Sequence, residues 1–350
     1  MMNNEYIIYG CGNFGRKLSH SLEKKRHKVY CFIDKNFEGN YNDIKSYKVK
    51  DLEKIHNKEL PVLIAVFNRE VDILGLRRTL IEAGFNNVLL PSEYFSYYKE
   101  ELGWNFWLSS EDIFEQNKTK INKAKKLFTN SEVFDSVINY RKGIDSHNLN
   151  INKSVQYYPS EIAHLLPNNL SFVDIGAYDG DSINDLESAN CTFEKVFAFE
   201  PDINNFKKLS KNLRKKNLDA IMFPIGLGNE NSLELFSNDG SEASSFRQGE
   251  KTVPICKLDS VIGNSFVNYI KMDIEGFEKF ALSGSQEIIK NQLPNLAICI
   301  YHNPDDLWEI PILIDEMFDK RYTFYIYTHA ESTFDTVLYG IPKKGDKNEQ

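Results

Sequence analysis

The apolar positions of this chain repeat one pattern twice: a short continuous apolar run, a glycine-rich turn, a stretch with apolar residues at helical spacing, then another run closed by an acid. Short continuous runs suit strands covered on both faces, and apolar positions three or four apart suit the helices that cover them. In the first half the pattern predicts strands at 6–9, 29–34, 61–66 and 87–90, with helices to about residue 26 and over about 70–83. In the second half it predicts parallel strands at 172–175, 196–200, 220–225, 269–273 and 296–300, with 322–327 and 336–339 ending the sheet. The runs at 232–236 and 252–256 read as an added antiparallel pair. Strands alternating with helices specify α/β folds.

Residues 96–154 break the rhythm. They are polar and helical in pattern, lack glycine from 105 to 142 and concentrate lysine at 118–126, as expected of amphipathic helices with a solvated face. The predicted organisation is therefore a small Rossmann-like domain at 1–95, a helical connector at 96–154, a larger α/β domain at 155–342 and a frayed tail at 343–350. At roughly 100–200 residues per domain, 350 residues agree with two domains.

Composition narrows the function. Asp and Glu number 50 against 42 Lys and Arg, giving a net charge of −8 and a pI near 5.5. Such a surface repels phosphate backbones, so no nucleic-acid polymer is expected as a partner. The longest apolar runs, such as 60–67, fall well short of the ~20 residues that span a bilayer. The first residues show no basic leader followed by an apolar stretch, so a cytoplasmic protein is expected. Five cysteines, far apart and without a C-x-x-C pair, suggest neither a zinc knuckle nor a disulfide framework.

The two glycine turns carry the chemistry. Gly10, Gly12 and Gly15 match G-x-G-x-x-G directly after a strand, and Asp34 lies nineteen residues beyond Gly15, where a carboxylate could accept ribose hydroxyls. No second mononucleotide half follows, which weighs against a nicotinamide site. A nucleotide or nucleotide-sugar site and a purely structural turn both stay open. In the second turn the acid comes inside the strand: Asp174 precedes Gly176-Ala177-Tyr178, and Gly180-Asp181 close the turn. Glu200 ends the next strand, before Pro201, and is placed to bind two ribose hydroxyls. An amino-acid end plus a ribose end describes S-adenosylmethionine better than a dinucleotide. Gly226 falls at the end of the third strand, and Asp273, His302 and His329 fall at other strand ends, where open α/β sheets bind ligands.

Taken together, VDIGAYDGDSI, AFEPD, GLG, ASSF, KLDSV, IKMDIEGFEKFAL-x-G, LAICIYHNPDDLWEIP and DTVLYG resemble the FkbM family of methyltransferases, over roughly residues 155–342. The resemblance implies a class I methyltransferase fold with a doubly wound, mostly parallel seven-stranded sheet, S-adenosylmethionine as donor, and O-methylation, often of sugars in glycan or natural-product pathways. By position it implies Asp174, Gly176, Gly180 and Glu200 as donor-site residues. It likewise implies Asp273, Glu275 and Gly276 as the K-x-D-x-E-G element and His302 as the histidine after the fifth strand. Many members carry an acid shortly before that histidine; Ile300-Tyr301 stand there in this chain.

His302 is the first candidate for a general base, because a neutral imidazole is available near pH 7. Asp273 either orients it or binds the acceptor hydroxyl. Glu275, Ser244, Ser245 and Tyr178 are expected to touch the acceptor, and Glu275 could instead only cap a helix. Asp273, Glu275 and His302 could also ligate a divalent metal, but their spacing does not demand one and no metal is predicted. The expected function is methylation of a hydroxyl on a nucleotide-activated or glycan-linked sugar. The alternatives are an NAD(P)-dependent sugar oxidoreductase using the first glycine turn and a non-catalytic sugar- or nucleotide-binding protein. A homo-oligomer is compatible with all three.

Overall fold

The computed structural model describes residues 4–109, 112–144, 149–236 and 251–343. They fall into two compact units: the first takes residues from 1–118, 135–151 and 330–334, the second from 119–134, 152–329 and 335–350. The stretch 96–154 is thus shared between the two units.

In the first unit six strands form one sheet: β1 (Glu5–Tyr9), β2 (Lys28–Asp34), β3 (Gly39–Tyr41), β4 (Ile44–Lys48), β5 (Val62–Ile64) and β6 (Val88–Leu89), in the order β3-β4-β2-β1-β5-β6. All neighbours are parallel except the β3–β4 hairpin. The hairpin extends the half-sized fold that the pattern predicts; its strands are short, largely polar and only partly buried, so they carry no apolar run. Side chains alternate across the sheet. Ile7, Cys31, Ile33, Val62 and Ile64 pack with Leu80 and Phe85, while Ile8, Phe32 and Leu63 pack with Leu18, Leu22, Tyr94, Phe95 and Trp107.

Gly15 in the helix Asn13–Lys24 lies so close to the turn that a Cβ there would stand 1.9 Å from the Gly10 carbonyl oxygen. Asp34 ties this turn to the end of β2: its carboxylate accepts the backbone N–H groups of Cys11, Asn36 and Phe37, each at 2.7 Å. Burial alone would raise the carboxyl's pKa, and these three donors bring it below the ordinary value. Asp34→Ala is expected to lower stability by about 1–3 kcal/mol, read as a fall in the urea midpoint, because three backbone donors, that of buried Cys11 among them, lose a charged acceptor. An unchanged midpoint would show that the turn holds without it.

The second unit is built on a seven-stranded sheet. Its strands are β7 (Asn169–Ile175), β8 (Thr192–Phe199), β9 (Ala220–Phe223), β13 (Tyr269–Met272), β14 (Asn295–Cys299), β15 (Tyr322–Thr328) and β16 (Thr336–Pro342). Between β9 and β13, β10 (Gly226–Leu227), β11 (Ser232–Phe236) and β12 (Lys251–Cys256) form a separate small sheet, with β11 and β12 antiparallel as the pattern predicts. The large sheet runs β15-β16-β14-β13-β7-β8-β9, with β16 antiparallel to both of its neighbours. β13 and β14 are buried along their whole length and β7 is buried beyond Asn169, which is why they read as continuous apolar runs. Residues 119–134 belong here: Asn130 Nδ2 donates to the Ile326 carbonyl at 2.7 Å, and Ile326 N–H returns a bond to Asn130 Oδ1 at 3.0 Å. Strand order reverses at β7, which has β8 and β9 on one side and β13 and β14 on the other, so the cleft lies at its C-terminal end.

Candidate active site

Four strand ends converge on that cleft. β7 runs into Gly176, whose φ of 80° favours glycine and where a Cβ would stand 1.9 Å from the Asp273 carbonyl oxygen. The turn is closed by Gly180 N–H donating to the Ala177 carbonyl at 2.8 Å, and Gly176 and Ala177 N–H groups both bond the Phe199 carbonyl. Glu200, at the end of β8, is buried; it accepts Tyr178 N–H at 2.9 Å on one oxygen and Asp202 N–H at 2.8 Å on the other. Burial pushes its carboxyl up to about 7, against the two backbone donors. Tyr178 itself is half-buried, with the Lys208 ammonium 5.3 Å from its ring centroid. Asp181 is exposed and Pro201 half-buried beside this turn, and Gly226 is buried in β10.

Beneath the turn lies an ion pair that spacing alone does not reveal. Asp174 on β7 and Lys271 on β13 are register partners, fully buried, with Lys271 Nζ 3.0 Å from Asp174 Oδ1. The same ammonium donates to the Gly176 carbonyl at 2.6 Å. Burial raises the Asp174 carboxyl to about 6 even with this cation beside it. Asp174 therefore faces Lys271 inside the sheet and braces the turn from below.

The second group gathers at the ends of β13 and β14. His302 has no exposed surface, and three carboxylates surround its ring: Asp273 Oδ1 is 3.2 Å and Glu275 Oε2 3.7 Å from Nε2, and Glu278 Oε1 is 2.9 Å from Nδ1. Burial alone would lower the imidazole's pKa, but Glu278, Glu275 and Asp273 hold it well above the ordinary value. Asp273 is held below the usual carboxylate range: burial opposes this, but the His302 ring, Lys271 and the Tyr157 hydroxyl outweigh it. That hydroxyl donates to Asp273 Oδ2 at 2.8 Å. Burial, against the attraction of His302, lifts Glu275 to about 8, and neighbouring Asp273 and Glu278 add to the rise. Glu278, rather than Glu275, receives the Ile274 N–H ahead of the next helix, at 2.9 Å.

Asp273, Glu275 and His302 thus meet in one cluster, while Asp174, Gly176, Ala177, Gly180 and Glu200 build the turn on the other side of the cleft. His329 stands outside the cluster, with Nε2 2.9 Å from the Tyr339 hydroxyl; burial lowers its pKa to about 4. Ser244 and Ser245 lie outside the described residues. Spacing missed Lys271 and Glu278 as site residues. Lys271 interrupts an apolar strand, the one available clue, and Glu278 sits in the same IKMDIEGFEK segment as Asp273 and Glu275. In the first unit, Asp34 is committed to three backbone donors, so a nucleotide reading of Gly10, Gly12 and Gly15 rests on the shape of the turn.

A sheet that reverses at β7 and carries a late antiparallel strand between β14 and β15, with a glycine turn facing a buried acid at the next strand end, defines a class I methyltransferase-like fold. Residues 174–326 match the family model described as the Methyltransferase FkbM domain. The fold is shared with a crystal structure described as methyltransferase FkbM from Methylobacillus flagellatus KT. The TM-score is 0.75 at 20% identity, over 96% of this chain and 90% of that one. An rRNA methylase from Streptococcus thermophilus aligns with a TM-score of only 0.33 at 16% identity, over 52% of this chain and 91% of that one, and carries no further weight. Comparison of the sequence with curated proteins gave no significant match. Among the described residues no helix is long and apolar enough to cross a membrane.

Proposed function

We propose that this methyltransferase domain uses S-adenosylmethionine to methylate a hydroxyl of a sugar, nucleotide-activated or glycan-linked, in glycan or natural-product biosynthesis. The observation that carries the reading is the pairing of a ribose-type acid at one strand end with a polar cluster two strands away, on either side of the switch point.

The donor's chemistry fits the residues present. Glu200 is a buried acceptor beside a turn whose backbone approaches closely, as a ribose and an amino-acid end require. Gly176, Ala177, Gly180 and Asp181 would line the methionine end, with Asp174 acting through the turn it braces. When bound, the donor supplies an electrophilic methyl group. Asp273 and Glu275 face the acceptor, since their side chains keep 23% and 18% exposure whereas His302 keeps none. Asp273 accepts the acceptor's hydroxyl proton in a hydrogen bond and aligns its oxygen, the step in which positioning contributes most. His302 and Tyr157 fix Asp273 in place, which gives His302 the part of a positioning group.

Calorimetric titration with S-adenosylmethionine and S-adenosylhomocysteine tests the donor half; absence of binding to folded protein would sink it. Labelled donor with a panel of nucleotide sugars tests the acceptor half. Glu200 adds a pH signature. Its folded-state pKa of about 7 stands above the ordinary 4.5, so its contribution to stability is present below about 4.5 and is lost as pH rises through 7. Donor affinity should move the other way, because only the ionised carboxylate accepts both ribose hydroxyls. It is expected to fall by up to about tenfold per pH unit below 7 and to become weak and flat with pH in Glu200→Gln. A wild-type profile without a slope there would remove Glu200 from the donor site.

A further inference from the structure

We propose that Asp273, Glu275 and His302 hold a divalent cation at the ends of β13 and β14, with Glu278 as the outer carboxylate that orients the imidazole. His302 Nε2 stands 3.2 Å from Asp273 Oδ1 and 3.7 Å from Glu275 Oε2. Two ligand atoms about 2.1 Å from a cation and at right angles lie about 3 Å apart. The first separation is therefore already a ligand–ligand edge, and Glu275 would close on the ion by a side-chain movement. Across the ring, Nδ1 faces Glu278 Oε1 at 2.9 Å. A ligating histidine gives its other N–H to a carboxylate in this way, which fixes its tautomer and the direction of its lone pair. Asp273, Glu278 and His302 each bring a ligand-type atom within 4.8 Å of the others.

Two further observations point to a cation. Glu275 Oε2 and Glu278 Oε2 are buried and meet no hydrogen-bond donor, and the Glu278 side chain is only 1% exposed. The acidic groups also outnumber the bases: three carboxyl groups surround one imidazole. The nearby lysines are engaged elsewhere, Lys271 with Asp174 at 3.0 Å and Lys279 with Asp306 and Asp305 at 3.1 and 3.2 Å. Buried carboxylates in such surroundings are paired or coordinate a metal. Glu275 enters the cluster from a backbone φ of 56°, uncommon outside glycine.

Two carboxylates and one imidazole, with an open side toward the cleft, suit Mg²⁺ or Mn²⁺. The inference extends the reading of this cleft as the acceptor's site, where a cation would bind the hydroxyl oxygen and make its proton more acidic.

The test is titration of the full chain with Mn²⁺, followed by the paramagnetic resonance signal of the free ion. One ion per chain is expected, displaced by Mg²⁺. Glu275→Gln and Asp273→Asn should each weaken it at least about tenfold, and Glu278→Gln by about 10–100-fold. Thermal melting and S-adenosylhomocysteine titration of each variant separate loss of a ligand from loss of the fold. If either buried-site variant fails to fold, Glu275→Gln, whose side chain reaches the surface, decides. Absence of Mn²⁺ binding to the wild-type chain, or unchanged binding in Glu275→Gln, overturns the proposal. Donor binding without Mn²⁺ binding overturns the cation alone; Mn²⁺ binding without donor binding overturns the donor reading alone.

Discussion

Lys271→Met is expected to destabilise the chain by about 3–5 kcal/mol, because it leaves a carboxylate unpaired inside the sheet. Asp174 and Lys271 are both fully buried, at register positions on adjacent central strands. With Lys271 present the Asp174 carboxyl already stands near 6; without it, burial favours the protonated form still more, and uptake of a proton limits the loss. The Gly176 carbonyl also loses a donor at 2.6 Å, so the turn above should loosen and donor affinity should fall with stability. The double variant Asp174→Leu with Lys271→Met separates the two effects. An apolar pair of similar volume should restore most of the stability, while the turn stays without its brace. Chemical denaturation and S-adenosylhomocysteine titration on the same samples provide the check. A single variant as stable as the wild type would show that the pair contributes little.

Asp273→Asn should lower methyl-transfer turnover by about 10²–10⁴-fold, the range expected when a group that manages the reacting proton is lost, while leaving donor affinity unchanged. The side chain is fixed from three sides, by the Tyr157 hydroxyl at 2.8 Å, His302 Nε2 at 3.2 Å and the Tyr301 hydroxyl at 3.5 Å, and keeps one exposed edge toward the cleft. An amide keeps the shape but brings an N–H₂ donor against these donors and turns one acceptor edge into a donor. Single-turnover rates with saturating donor are the decisive measurement. A loss confined to donor affinity would place Asp273 in the donor's half of the cleft instead.

How far the sequence specified this arrangement can be followed residue by residue. The parallel strands of the second unit were legible because strands buried on both faces must be apolar throughout, as in β13 and β14. Their order was not, since periodicity is blind to which strands are neighbours; the motif resemblance supplied only the fold class. The Asp174–Lys271 pair shows the same limit. Each residue is visible as a charge inside an apolar run, but that the two meet depends on the β7–β13 register. Glu200 and the Gly176 turn were readable because a strand end and a glycine with positive φ are local features. The cluster about His302 was half readable: Asp273 and Glu275 stand in one motif, but the part played by Glu278 appears only once the chain folds back over Ile274. The β3–β4 hairpin was missed because short, largely polar strands of three and five residues carry no apolar run.

The division of the chain into units bears on how it can be taken apart. The backbone passes from one unit to the other at 118/119, 134/135, 151/152, 329/330 and 334/335. A single cut at 154/155, between the expected connector and the methyltransferase part, would strip the second unit of Asn130 and its paired bonds to Ile326. The same cut would strip the first unit of Ser332 and Thr333, which bond Trp107 and Arg141. Neither piece retains its own complement of contacts. Recombination at one site, limited proteolysis or expression of the catalytic half alone would therefore yield fragments that expose surfaces their missing segments normally cover. Inheritance of the two units as an inseparable whole follows from the path of the backbone, whatever the first one binds.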